Sequence, residues 1–207
     1  YRWIRQGDIP CIERSGKYIF NKSTIETWAS SKHILLKNNP LYESNKENNL
    51  ISKNSALVNA IQVGKVFNNI DCNSLDKLFK EIPKYMNLPK QKQNLLYDLL
   101  KQRESLSSTG IGNGIAIPHP KNLIETEIQT SMISTFFLKE PLDFKASDNI
   151  HVFVVFVILS INSSHHLKLL SQLTRFLNYS NTVDFLKQSP SLENILDEIQ
   201  KSIVKTY

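Results

Sequence analysis

Glycine is scarce in this chain, with six in 207 residues, and half of them fall within one short stretch, Ser107–Pro120, which reads SSTGIGNGIAIPHP. Cysteine is scarcer still. Cys11 and Cys72 stand far apart and in no metal-binding or redox spacing, so the reading is two reduced cytosolic thiols rather than a disulfide scaffold. Long apolar runs are missing as well. The longest, Val152–Leu159 (VFVVFVIL), is too short to span a bilayer and reads as a buried strand, so stable membrane insertion is not expected. No segment has the charged-then-apolar layout of a signal peptide, and the numbering opens on Tyr1 rather than Met, which implies a missing upstream piece. A cytoplasmic location is the expectation. No internal repeat is evident, and no Asp/Glu cluster has metal-ligand spacing, so neither metal nor cofactor is expected.

What is present is an ordinary folding composition, 41% hydrophobic and 21% charged, which excludes a disordered chain. The net charge of +6 permits a polyanion partner without requiring one. Residues 1–34 read as a small unit. Tyr1–Gln6 ends a helix at Gly7, and two short extended runs flank Ser15-Gly16 as a hairpin. A second helix follows, with Ser23 as N-cap, Glu26 three residues on, and Ile25 and Trp28 on one face. Residues 35–50, rich in Asn, Lys and Glu, read as a linker.

Residues 51–207 alternate like an α/β domain. Residues 64–70, 131–138 and 151–160 read as strands, the last central because it is apolar on both faces. Residues 73–86, behind an Asn/Ser cap, and 89–104, opening on Pro89, carry apolar residues at helical spacing. So do 163–177 and 191–205, with a short helix at 181–189.

The glycine-rich stretch carries the chemistry. Gly110, Gly112 and Gly114 allow positive φ and close backbone approach, while Ser107, Ser108 and Thr109 offer hydroxyls; together they suit an anion-binding loop. Pro118 and Pro120 fix the backbone on either side of His119 and keep it out of a helix. That combination suits a phosphoryl group held on histidine. On these residues alone, a tight turn and a structural histidine explain the stretch equally well. The spacing fails the dinucleotide pattern, and there is no P-loop lysine.

The longer run RESLSSTGIGNGIAIPHP, Arg103–Pro120, closely resembles the signature of enzyme IIA domains of the fructose–mannitol class of the bacterial phosphotransferase system, a class that includes a nitrogen-regulatory branch. Arg103, Glu104, Ser108, Thr109, Gly110, Ile111, Gly112, Gly114, Ala116, Ile117, Pro118 and His119 fall in matching places, and a looser likeness runs from about Ser52 to the C-terminus. The resemblance implies a mixed central β-sheet flanked by helices. It implies that His119 accepts a phosphoryl group from the phosphocarrier HPr, that Arg103 steadies it, and that a second histidine at the start of a later helix lies beside the first. His166, before Leu167, fits that place, with His165 next to it. It implies onward transfer to a IIB domain, or retention as a regulatory signal. Pro120 departs from the pattern, since glycine is common there, and would stiffen the approach to His119.

The first thirty-four residues resemble the later part of MerR-like excisionase modules, a partial winged helix-turn-helix whose first helix is absent. That resemblance implies DNA as a partner and phosphate contacts from Arg2, Arg5, Arg14 and Lys17. A decayed or protein-binding module reads equally from the same residues, and Trp3 and Trp28 suit a core better than base stacking. The alternative function is therefore a DNA-binding regulator whose IIA-like domain senses phosphorylation.

Overall fold

The computed structural model describes residues 10–14, 17–21, 24–25, 28, 55–120 and 128–204. The chain separates into two units, Tyr1–Ser52 and Lys53–Tyr207.

In the first unit, β1 (Ile12–Arg14) pairs antiparallel with β2 (Lys17–Ile19), as the turn residues predict, and places Arg14 opposite Lys17. Thr24, Ile25 and Trp28 are helical. Ahead of Thr24, Asn21 acts as a cap: its side-chain oxygen accepts from Thr24 N–H at 3.2 Å, and its carbonyl accepts from Ile25 N–H at 2.9 Å. Asn21 stands the three residues back that such a bond requires. The expected Tyr1–Gln6 helix, Arg2 and Arg5, Ser23 and the 35–50 linker lie outside the described residues.

The second unit is built of α1 (Ala56–Gly64), β3 (Val66–Ile70), α2 (Leu75–Tyr85), α3 (Lys90–Leu106), β4 (Gly110–Gly112), β5 (Ile115–Ala116), β6 (Met132–Leu142), β7 (Val152–Leu159), α4 (Ser163–Leu177), α5 (Thr182–Leu186) and α6 (Leu192–Val204). The five strands form one mixed sheet in the order β3-β6-β7-β5-β4. β3 runs parallel to β6 and β5 parallel to β7, while β6–β7 and β4–β5 are antiparallel. The apolar β7 is the central strand, as its composition requires. Val154, Phe156 and Ile158 point into one core with residues of α1, α4, α5 and α6; Val155, Val157 and Leu159 point into a second with α2 and α3. Helices thus cover both faces, and burying each large apolar side chain contributes about 1.5–3 kcal/mol. Among the described residues, no helix is long and apolar enough to cross a membrane. Both cysteines are free, and burial pushes the Cys72 thiol pKa up.

The helix α1 is not among the elements the sequence pattern predicts. It has no acidic residue in its first turn and no side-chain cap. Packing on the sheet stabilises it instead. A Cβ at Gly64 would stand 2.1 Å from the carbonyl oxygen of Ile133, so only glycine lets the helix end meet β6. Ser134 Oγ donates to the Gly64 carbonyl at 2.6 Å across that junction.

The sheet order fixes where chemistry can sit. β5 and β7 are parallel neighbours, so the segments leaving their carboxyl ends emerge at the same edge of the sheet. The first leads through Ile117 and Pro118 to His119, and the second leads into α4 and His166.

Candidate active site

His119 is half-buried and held from both sides. Its Nδ1 lies 2.8 Å from the carbonyl oxygen of Ile117, and its Nε2 lies 3.2 Å from Nε of Arg103. Arginine has only donors, so Nε2 must carry the lone pair, and Nδ1–H donates to Ile117. The partners therefore select one tautomer and leave Nε2 as the nucleophilic nitrogen. The backbone behind the ring is tied down as well. Ile117 N–H donates to the Thr109 carbonyl at 2.9 Å, and the Pro118 carbonyl accepts from Ile158 N–H in β7 at 3.0 Å.

Arg103 comes from the last turn of α3. Its Nη1 donates to the Ser107 carbonyl at 2.8 Å, which swings the guanidinium toward His119. It makes no ion pair among the described residues. His166 sits in the first turn of α4, where Asn162 caps the helix by accepting from His165 N–H at 2.9 Å. The rings of His119 and His166 lie 4.8 Å apart, tilted by 46°. His165 is exposed and turned toward Ser131, 3.5 Å from its hydroxyl, so the structure brings His166 to His119 and leaves His165 outside. Nδ1 of His166 is buried without a hydrogen-bond partner.

Electrostatics follow from this crowding. Burial above all, then the neighbouring His166 and Arg103, push the His119 pKa down to about 4, against the raising effect of the Ile117 carbonyl. Burial and Arg103 lower His166 too. At neutral pH the cluster is one guanidinium and two neutral imidazoles, with no counter-ion on Arg103 among the described residues and the Nε2 lone pair of His119 facing the guanidinium.

The glycine-rich stretch takes a regular shape. It is a hairpin, β4–β5, with Gly112 paired to Ile115 across a two-residue tip, Asn113-Gly114. Both tip residues have positive φ, 55° and 75°, as a type I′ turn requires. Asn-Gly was the signal for it, masked by reading the glycines together. The tip N–H of Asn113 donates to Asp148 at 2.7 Å. Gly110 N–H donates to Ser108 Oγ at 3.0 Å, and Ser108 Oγ donates to the Phe144 carbonyl. Thr109 gives both its N–H, at 3.0 Å, and its hydroxyl to the Glu104 carboxylate. Ser107 is exposed and meets the site through its carbonyl alone. Of the expected phosphate-loop groups, those of Ser108, Thr109 and Gly110 are thus engaged within the loop, and Gly112 and Gly114 shape the turn. A Cβ on Gly114 would also fall 2.6 Å from the Phe153 ring. Glu104, Asp148 and the Ile117 carbonyl are the groups whose parts sequence reasoning did not assign. Arg14 and Lys17 belong to the first unit and are described only as backbone partners in its hairpin.

Comparison with known proteins gives the family. Residues 59–202, more than half of the chain, match the family described as "Phosphoenolpyruvate-dependent sugar phosphotransferase system, EIIA 2". The chain belongs to that family. A nitrogen regulatory protein of Pseudomonas aeruginosa is 31% identical over 134 residues, covering 63% of this chain and 85% of the relative. A mannitol-specific phosphotransferase enzyme IIA component of Staphylococcus aureus is 27% identical over 132 residues, covering 63% and 88%. The crystal structure of the nitrogen regulatory protein IIA-Ntr from Neisseria meningitidis shares the fold, with a TM-score of 0.60 and 24% identity over 70% of this chain and 99% of that one. The mannitol IIA protein of Escherichia coli, solved in complex with phosphorylated enzyme IIB, shares it at a TM-score of 0.52 and 16% identity, over 66% and 94%. The protein is an EIIA-type component of the phosphotransferase system. The family match begins at residue 59, beyond the N-terminal unit.

Proposed function

We propose that the second unit accepts a phosphoryl group on Nε2 of His119 from an HPr-like phosphocarrier. It then keeps the group as a regulatory signal or passes it to a IIB-type domain. The observation that carries this reading is the double hold on His119, with Nδ1–H on the Ile117 carbonyl and Nε2 facing Arg103.

The chemistry follows from those contacts. The Nε2 lone pair attacks phosphorus in line; the N–P bond forms as the bond to the donor breaks, and that electron pair leaves with the donor. Positive charge develops on the ring, and the Ile117 carbonyl stabilises it through Nδ1–H. Negative charge on the phosphoryl oxygens meets the planar guanidinium of Arg103, which suits them better than a point charge. The ring of His166, 4.8 Å from that of His119, is close enough to offer an N–H to a phosphoryl oxygen. A buried ring with a lowered pKa is neutral at pH 7 and needs no base to free its lone pair. The solved mannitol complex supports a IIB-type acceptor, while the nitrogen regulatory relatives support regulation as the use.

Incubation with enzyme I, HPr and phosphoenolpyruvate tests the reading. Acid-labile label is expected on the wild type and none on His119→Ala; normal labelling of that variant rejects the assignment.

A further inference from the structure

Arg103 and Glu104 are adjacent in the last turn of α3, yet they hold opposite sides of the same imidazole. Arg103 faces Nε2 directly. Glu104 reaches the other nitrogen through the chain. Its Oε1 accepts from Thr109 N–H at 3.0 Å and its Oε2 from the Thr109 hydroxyl. Thr109 is 4% exposed, and its carbonyl accepts from Ile117 N–H at 2.9 Å. The Ile117 carbonyl in turn accepts from His119 Nδ1–H at 2.8 Å. The series closes on itself, from Glu104 through Thr109, Ile117 and His119 to Arg103 and back along one peptide bond.

We infer that Glu104 is a positioning residue for the phosphoryl-accepting histidine: its two-pronged hold on Thr109 sets the Ile117 peptide that fixes the tautomer of His119. This rests on the reading of His119 as the acceptor. Two features distinguish Glu104 from an ordinary surface carboxylate. It is half-buried, and both its oxygens are used by one residue, so it restrains Thr109 in rotation as well as in distance. It also shares a helical turn with Arg103, so any shift of Thr109 relative to α3 changes the gap between guanidinium and imidazole. Near-attack geometry is sensitive to displacements of that kind, of the order of an ångström. Glutamine in place of Glu104 keeps an acceptor for the Thr109 N–H, and alanine keeps none.

The test uses the full chain and two readouts. Single-turnover labelling from phosphorylated HPr is expected to slow on the order of 10–100-fold in Glu104→Ala, the range typical when a group that orients a ligand or nucleophile is removed. Glu104→Gln is expected to recover most of the rate. Ring ¹⁵N shifts of His119 are expected to show the Nδ1–H tautomer in the wild type and in Glu104→Gln, and a mixture in Glu104→Ala. A wild-type rate in Glu104→Ala overturns the inference, and so does a slow variant whose His119 ring is unchanged. If Glu104→Ala does not fold, Thr109→Val, which removes one of the two bonds, replaces it under the same criteria. If the wild type takes no label at all, the proposed function fails, while the ring shifts still decide whether Glu104 sets the tautomer.

Discussion

Two polar clusters of the EIIA-type unit stand in contrast. On the outer surface of α2 and α3, Asp76 accepts from Tyr97 at 2.6 Å, Lys101 at 2.8 Å and Lys80 at 2.8 Å, and both ammonium groups lie over the Tyr97 ring. These partners hold the Asp76 carboxyl well below the usual carboxylate range and raise Lys101. Every charged group there has an oppositely charged partner within 2.8 Å, the one carboxylate being shared by two ammonium groups, and all are open to water. Around His119 the reverse holds. The groups are few, Arg103 has no counter-ion among the described residues, one ring nitrogen of His166 has no hydrogen-bond partner, and burial keeps the His119 ring neutral. Satisfied charges in water are solvated scaffolding and contribute little. A polar site becomes reactive where a buried neutral ring nitrogen lies beside a cation with no counter-ion, because a phosphoryl group then brings negative oxygens for the cation and an electrophile for the nitrogen.

The contrast is easiest to break at Arg103. Arg103→Ala is expected to slow phosphoryl transfer by ~10²–10³, the scale for losing one preorganised donor to a developing charge, with the fold intact. Unchanged transfer kinetics would remove Arg103 from the mechanism.

A smaller effect is expected from pH. Both His119 and His166 have lowered pKa values in the folded protein, so the unfolded chain binds protons first as pH falls. The stability they contribute is complete above the ordinary histidine value of 6.5 and is lost as pH falls toward about 4, where His119 protonates in the folded state. Chemical denaturation across that window should show a steeper decline for the wild type than for His119→Gln; parallel curves would mean that His119 titrates normally.

The smallest effect is expected at the surface cluster. Asp76→Asn should leave transfer unchanged and lower the Tm slightly at low salt, with no difference at high salt. A transfer defect there would join the two clusters functionally.

The site was more legible in the sequence than the frame around it. Arg103, His119 and His166 belong to a pattern of side-chain types at fixed spacing, and that pattern survives without coordinates. The choice between His165 and His166 needed the phase of α4, set by the Asn162 cap, which turns one ring inward and the other to Ser131. The shape of the glycine-rich stretch was harder to read, because three alternating glycines draw attention to close backbone approach while the Asn-Gly pair inside them dictates a hairpin tip. The helix α1 was missed because it has neither cap nor amphipathic charge pattern. What stabilises it is the contact of Gly64 with β6, a partner about seventy residues away in sequence that no local pattern reveals. Glu104 was visible as half of an Arg-Glu pair, but its function depends on Thr109 lying folded back against it.

The central claim is that a phosphoryl group resides on Nε2 of His119. Phosphorylating the ¹⁵N-histidine-labelled protein and recording the ³¹P–¹⁵N coupling tests it most directly. Coupling to Nε2 of His119, with Nδ1 still protonated against Ile117, is the result predicted. Coupling to Nδ1 of His119, or to either nitrogen of His166, would contradict it.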